Sequence, residues 1–350
     1  MLNAMKYAKP GYSLEQVDRA GELLVGTTDP DSLGMAKQIV NNWRAAHAFP
    51  LNTFQVTLKA RAKRVDPDSI AYGRTKRESA IANKLQRLGR LSLSEIQDIV
   101  GCRAVVNSAG HVYDLAEIYH DRRGHWDHEL VSVHDYIVKP NENSGYRSYH
   151  LVYRHRSRRH PEYDGRKVEV QLRSQLQHNW ATAVETADVF FGRRLKFYQE
   201  PPDWNRFFCL MGTAIALREG CNPVPGTPSN ERERVSEIRQ LADELDVLTK
   251  FGMWGKALQV HESLPTSPMR KARYLVLLLE PPRNRINVWG YPAGKSEEAN
   301  EQYFLQEKNK PEGADALLVS VAHADDLRRA YPNYFLDMGE FLKVVNEVIE

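Results

Sequence analysis

Cysteine is scarce: Cys102, Cys209 and Cys221 are the only three in 350 residues, too few and too scattered for a disulfide framework or a cysteine-based zinc site. Reduced thiols in a cytosolic (cytoplasmic) protein are the expectation. Long apolar runs are missing as well. None approaches the ~18 residues of a membrane-spanning helix, and the opening MLNAMKYAKPGYSLEQ has no continuous apolar core of a secretory signal, so no membrane partner is expected. Internal repeats and low-complexity tracts are absent too, which sets aside solenoids and tail-like segments. An excess of one charge is absent: the net value is only +3.

What is present is an ordinary folding composition, 42% hydrophobic and 27% charged, with length enough for two domains. The charge is unevenly spread. Lys59 to Arg77 holds seven Lys/Arg against two Asp, and Arg154 to Lys167 holds six against two acids. Such clusters suit phosphate-rich ligands or nucleic acid, and equally suit a solvated charged loop.

Periodicity divides the chain. Leu33, Met35, Ala36, Ile39, Val40, Trp43 and Ala46 predict a helix that ends at Phe49-Pro50, within a helical N-terminal region over residues 1–65. Ile81, Leu85 and Leu88 predict a helix over Arg77 to Leu88 stopped by Gly89, and Val112 to Arg122 predicts another. Strands are expected at Asp98 to Val106, Tyr146 to His155 and Lys167 to Leu172, followed by a helix from Gln175 to Phe190. Alternating strands and helices make residues 66–200 an α/β (α+β) core. A helical linker region over 201–265 follows Pro201-Pro202, including one charged helix from Glu231 to Lys250. Residues 270–350 read as a small C-terminal α/β domain with strands at Tyr274–Leu279, Arg285–Tyr291 and Ala314–Val321.

Four polar patches carry the chemistry. In GRTKRESAIANK, Arg74, Lys76 and Lys84 with the Ser79 hydroxyl form a set that can clamp a polyphosphate at a helix start, although basic helix starts are common. In DIVGCRAVV, Asp98 opens an apolar strand; it either caps the preceding turn or meets a cation such as Mg²⁺ bridging nucleotide phosphates. Arg103 on the same strand needs an anion. In DYIVKPNENSGYRSYHLVY, Tyr146, Ser148 and His150 alternate on one face, as a ligand bed or a solvent-exposed hairpin. In VEVQLRSQLQHNWA, Glu169, Gln171 and Arg173 oppose Val168, Val170 and Leu172, so a carboxylate on a polar strand face is available as metal ligand or general base. Together the four patches suit Mg²⁺-dependent phosphoryl transfer.

In this order and at these spacings the four motifs resemble the synthetase domain of RelA/SpoT-type proteins over roughly residues 40–200. The resemblance implies a nucleotidyltransferase-like mixed β-sheet flanked by helices. It implies transfer of pyrophosphate from ATP to a ribose 3′-hydroxyl of GTP or GDP, with Mg²⁺ as cofactor, giving (p)ppGpp and AMP. Position by position, it implies that Arg74, Lys76, Ser79, Lys84 and Arg103 hold ATP, and that Asp98 and Glu169 are the catalytic, metal-binding carboxylates. Tyr146 would stack on the acceptor base, with Lys139, His150, Gln171 and Arg173 on the acceptor side.

Only about 65 residues precede these motifs, too few for the family's HD hydrolase, and His111, His120, His125, His128 and His134 read as surface or loop residues rather than metal ligands. The chain is therefore similar to small alarmone synthetases, and to the toxic members of toxin–antitoxin and phage-defence systems that carry C-terminal extensions. For the toxic members the implied acceptor is the 3′ CCA end of tRNA, with an antitoxin or phage-protein trigger as partner. A homo-oligomer is compatible with either. The C-terminal domain, which holds no catalytic motif, is expected to be regulatory.

Overall fold

In the computed structural model the described residues are 7–120, 127–190, 202–262, 272–280, 285–312, 314–320 and 334–350, and they pack as two units. The first unit is Met1–Val138 with Ser148–Gln175; the second is Lys139–Arg147 with Leu176–Glu350.

The first unit opens with three helices. Helix α1 (Leu14–Gly26) starts from a capping box in which Ser13 and Gln16 satisfy each other's backbone N–H groups. Helices α2 (Pro30–Ala46) and α3 (Ala48–Val65) are separated only by His47. The expected stop at Phe49-Pro50 is thus one turn late. Proline in a first helical turn forfeits no hydrogen bond, so Pro50 sits in the start of α3 rather than ending α2.

A five-stranded sheet follows, built from β1 (Ile70–Thr75), β2 (Val100–Val106), β3 (Glu129–Asp135), β4 (Tyr149–Arg154) and β5 (Lys167–Ser174) in the order β1-β2-β5-β4-β3. Only the β2–β5 pair is parallel, so this is the expected mixed sheet flanked by helices. Between strands lie α4 (Glu78–Leu88), closed by Gly89 at a φ of 44°, and α5 (Ala109–His120). Period-two alternation sorts the faces. Cys102, Ala104, Val170, Leu172, Leu151 and Tyr153 are buried on one face, where α3 and α5 bring Phe54, Leu58, Leu115 and Tyr119. The other face carries Tyr72, Arg103, Gln171, His150 and His134 in a single register row crossing all five strands.

A separate core forms from α1, α2 and α4 around Val17, Val40, Trp43, Ile81 and Leu85, with Leu93, Ile96 and Ile99 plugged into it. Those last three side chains flank Asp98. Burying two isoleucines and a leucine at about 1.5–3 kcal/mol each anchors the turn that presents the carboxylate.

In the second unit, α6 (Gln175–Phe190), α7 (Pro202–Arg218), α8 (Glu231–Glu244) and α9 (Val247–Glu262) precede a sheet of β6 (Tyr274–Glu280), β7 (Arg285–Tyr291) and β8 (Asp315–Ser320). Strand β6 is central and both pairings are antiparallel. Helix α10 (Ser296–Asn309) covers Leu278 and Trp289, while Leu275 and Leu277 join Trp204, Phe207, Phe208 and Trp254 in one core with Met338 and Phe341 of α11 (Tyr334–Ile349). The segments read from sequence as a linker and a C-terminal domain therefore share a single hydrophobic core. The single helix expected over Glu231–Lys250 is two helices, because Asp246 takes a φ of 51° between them. Aspartate tolerates that left-handed conformation better than most residues.

Candidate active site

Asp98 sits two residues before β2 begins, at the junction of the helical core and the sheet. Its Oδ2 accepts from Lys76 Nζ at 2.6 Å and its Oδ1 from Lys84 Nζ at 2.9 Å. The turn-capping alternative is thereby displaced: both carboxylate oxygens face ammonium groups. Lys76 follows β1, and its position is set twice through the backbone. Its N–H donates to Ile99 O at 2.7 Å, and its carbonyl accepts from Arg44 Nε of α2 at 2.8 Å. Lys84 arrives from the second turn of α4. Arg74 is exposed on β1, and Ser79 is exposed in the first turn of α4.

The electrostatics favour negative charge at this cluster. Burial would raise the Asp98 carboxyl, but Lys76 and Lys84 outweigh it and hold it far below the usual carboxylate range. Burial lowers the Lys76 ammonium; Asp98 pulls it back up, and Arg74 and Lys84 push it down. Two ammonium groups thus hold one carboxylate, with Arg74 adding positive charge near Lys76, and further negative charge would relieve the repulsion among the three cations.

The second carboxylate lies on β5. Glu169 is paired with Gly101 of β2 across the parallel register, and a side-chain carbon at position 101 would stand in ordinary contact with it, 3.8 Å from Glu169 Oε2. His150 Nδ1 lies 3.2 Å from Glu169 Oε1, and Gln171 Nε2 donates to Oε2 at 2.6 Å. Gln171 is in turn fixed by Arg103, whose Nε donates to Gln171 Oε1 at 3.0 Å. The guanidinium of Arg103 also reaches the Tyr72 hydroxyl at 3.4 Å and stands 5.7 Å from that ring's centre. Because Arg103 claims the amide oxygen, the amide nitrogen must face Glu169. Burial raises the Glu169 carboxyl, but the His150 and Gln171 contacts prevail against it and against the charge of Asp98, pushing it down to about 2.

Sequence-selected residues therefore assemble in two groups within the first unit: Lys76, Lys84 and Asp98 with Arg74 nearby, and Arg103, Gln171, Glu169 and His150. Arg173 is buried farther along the Glu169 face of β5. Ser148 spends its hydroxyl on Leu172 O at 3.1 Å, inside the sheet, which removes it from the polar bed. Tyr146 and Lys139 precede β4 and belong to the second unit, Lys139 exposed and Tyr146 half-buried against that unit's core. Of the five histidines read as surface or loop residues, His125 lies outside the described residues, and His128 is half-buried and stacked on Phe54 at 4.6 Å. Sequence reasoning missed Arg44, Tyr72 and Asp18. Asp18 on α1 ties down Ser94, four residues before Asp98, through its N–H at 2.7 Å and hydroxyl at 2.9 Å.

The donor set fits a hard divalent ion. Two ionised carboxylates, close enough that Asp98 raises Glu169, supply oxygen ligands of the kind Mg²⁺ takes together with substrate phosphates. Among the described residues no three His, Cys, Asp or Glu side chains form a metal cage, so an all-protein site is not what this geometry offers. Among them, too, no helix is long and apolar enough to cross a membrane.

Residues 73–191 match the family model described as the region found in RelA / SpoT proteins. The chain carries a RelA/SpoT region. Asp98, Glu169 and both groups of partners around them lie inside it. The chain is similar to the GTP pyrophosphokinase YjbM of Bacillus subtilis, 34% identical over 122 residues, covering 33% of this chain and 54% of that protein. An uncharacterized protein of Mycobacterium tuberculosis is 25% identical over 195 residues, 56% of this chain and 66% of that protein. The matched part thus spans between about half and two thirds of these relatives. Among solved structures, small alarmone synthetase 1 from Bacillus subtilis bound to pppGpp superposes with a TM-score of 0.45 at 23% identity, over 53% of this chain and 94% of that one. A GTP pyrophosphokinase family protein from Streptococcus pneumoniae gives 0.43 at 21%, over 51% and 89%.

Proposed function

We propose that this chain is an ATP-dependent pyrophosphokinase that transfers the β,γ-pyrophosphoryl group of ATP to the 3′-hydroxyl of GTP or GDP. The observation that carries the reading is the pair of oppositely dressed carboxylates in the RelA/SpoT region: Asp98 inside a cationic cluster, Glu169 aimed by two hydrogen-bond partners.

Each residue then has a task that its surroundings support. The polyphosphate supplies further negative charge for Arg74, Lys76 and Lys84, the last two already paired with Asp98, and Arg103 places the donor from the adjoining strand. Asp98 and Glu169 would hold Mg²⁺, which supplies charge neutralisation at the phosphates when bound. As the phosphates draw Lys76 and Lys84 away, Asp98 is freed for that role. The acceptor 3′-oxygen bonds to the β-phosphorus, the bond from that phosphorus to the α,β-bridging oxygen breaks, and AMP departs with the oxygen. The hydroxyl proton passes to Glu169. A carboxylate with a pKa of about 2 is a weak base, so Glu169 contributes mainly by orienting the hydroxyl, with proton transfer late in a loose transition state. On the acceptor side, His150 and Gln171 fix Glu169, Arg173 lies farther along the same strand face, and Tyr146 and Lys139 supply the base platform and a phosphate contact.

The surface charge favours a free nucleotide over a tRNA end. In the Arg154–Lys167 cluster, Arg154 and Arg156 both bind Glu129, Arg158 Nε is 3.5 Å from Asp127, and Lys167 donates to Glu95 O at 3.2 Å. Two carboxylates of the same unit, Glu129 and Asp127, thus meet part of that positive charge. Incubation with ATP, Mg²⁺ and GTP, GDP or deacylated tRNA, read by nucleotide chromatography and by label on the tRNA, tests the reading: a 3′-pyrophosphorylated guanine nucleotide is expected, and a product on tRNA alone overturns it.

A further inference from the structure

The segment Lys139–Arg147 is inserted in sequence between β3 and β4, yet by packing it belongs to the second unit. It is a self-closed turn. The Asn141 side chain accepts from Asn143 N at 3.1 Å, Ser144 N at 3.2 Å and Ser144 Oγ at 3.1 Å, while Gly145 N donates to Asn141 O at 2.7 Å. Gly145 has a φ of 75°. A side-chain carbon there would stand 3.2 Å from Cys209 Cα and 3.4 Å from both Phe208 O and Val224 Cγ2. The contact is reciprocal on α7, where a carbon on Gly212 would stand 3.1 Å from Gly145 O and 3.6 Å from Gly145 Cα. Two backbones touch, glycine on glycine.

A second anchor follows at once. Arg147 donates to Asn222 O in the loop after α7. That loop is hooked back to the helix by Thr213, next to Gly212, whose Oγ1 accepts from Val224 N at 2.9 Å and pairs with Thr227 Oγ1 at 2.9 Å. Tyr146, between the two anchors, rests on the core built by Phe208 and Met211.

We infer that Gly212 and Thr213 on α7 are positioning residues for the acceptor: they set the turn that carries Lys139 and Tyr146, so the C-terminal unit governs acceptor affinity. This rests on the proposed function. Gly212, Phe208 and Cys209 of α7, with Asn222 and Val224 of the loop it holds, lie against the turn. A change in that helix therefore bears directly on the backbone on either side of Tyr146.

The test is Gly212→Ala with Thr213→Val as a second, isosteric variant, on the full chain with thermal melting as a fold check. The KM for GTP or GDP is expected to rise at least tenfold in Gly212→Ala and severalfold in Thr213→Val. The KM for ATP and kcat at saturating acceptor should stay within about twofold. Equilibrium dialysis of GDP, without turnover, should show the same loss. If Gly212→Ala does not fold, Thr213→Val decides. A folded variant with unchanged acceptor KM, or with ATP and acceptor KM rising together, overturns the inference while leaving the activity intact. A wild type that neither binds nor uses a guanine nucleotide removes the underlying reading, and the inference with it.

Discussion

Replacing Glu169 with glutamine probes the site without changing its shape. Gln171 cannot rotate to accommodate the new amide, because Arg103 holds its oxygen; the substituted side chain must therefore point its oxygen at Gln171 Nε2 and its NH₂ at His150 Nδ1. What is lost is charge. A carboxyl that falls from 4.5 to about 2 on folding stabilises the folded state by on the order of 3 kcal/mol, at about 1.4 kcal/mol per pH unit. That contribution is complete above pH 4.5 and disappears as pH falls through about 2, because below both values the folded and unfolded chains carry the same proton. The neutral glutamine mimics the protonated state throughout. Urea denaturation of nucleotide-free protein should show Glu169→Gln less stable by about 3 kcal/mol at pH 7, with the gap narrowing below pH 4.5. Equal or greater stability of the variant at pH 7 would refute the reasoning. It would mean that burial and Asp98 dominate, and that the carboxylate is held against its surroundings rather than by them.

Three further outcomes follow from the same geometry. Lys84→Met should raise the ATP KM at least tenfold while GTP KM changes little, since Lys84 bears on Asp98 and the phosphates; initial-rate kinetics with each substrate varied will show it, and equal changes in both would count against the clamp. Gly73→Val should cost about 1–3 kcal/mol, as for other overpacked sites, because the first added carbon stands 2.7 Å from Gln55 Oε1 and 2.9 Å from Leu51 Cδ1 of α3, a loss readable as a lowered melting temperature. Burial pushes His47 down from 6.5 to about 3, so it stays neutral in the folded protein while the unfolded chain takes up a proton below pH 6.5. Stability from this group is full above pH 6.5 and falls with acidification by about 1.4 kcal/mol per pH unit; His47→Gln should flatten that slope between pH 6.5 and 5 in urea titrations.

Much of this site was legible because charge in an apolar setting demands an explanation. Asp98 before a buried strand and Glu169 on an alternating one both stood out, and the basic residues of GRTKRESAIANK were already grouped by the helix that α4 became. The edge strands were not legible. β1 carries a glycine and an arginine, and β3 leaves Leu130 and Val133 partly exposed, so neither shows the continuous apolar run of β2 or the two-face alternation of β5. Arg44, Tyr72 and Asp18 sit on ordinary-looking elements and join the site only through tertiary packing across tens of residues. The affiliation of Lys139–Arg147 with the C-terminal unit was hidden for the same reason. A glycine at position 212 in a helix carries no local sign that another glycine lies against it.

The central claim meets its most direct test in the nucleotide products of the purified full chain. With ATP, Mg²⁺ and GTP or GDP, anion-exchange chromatography should show AMP and a guanine nucleotide bearing a 3′-pyrophosphate in equal amounts, and Glu169→Gln should make neither. No guanine product from the wild type, or the same product from Glu169→Gln at the wild-type rate, would contradict the account.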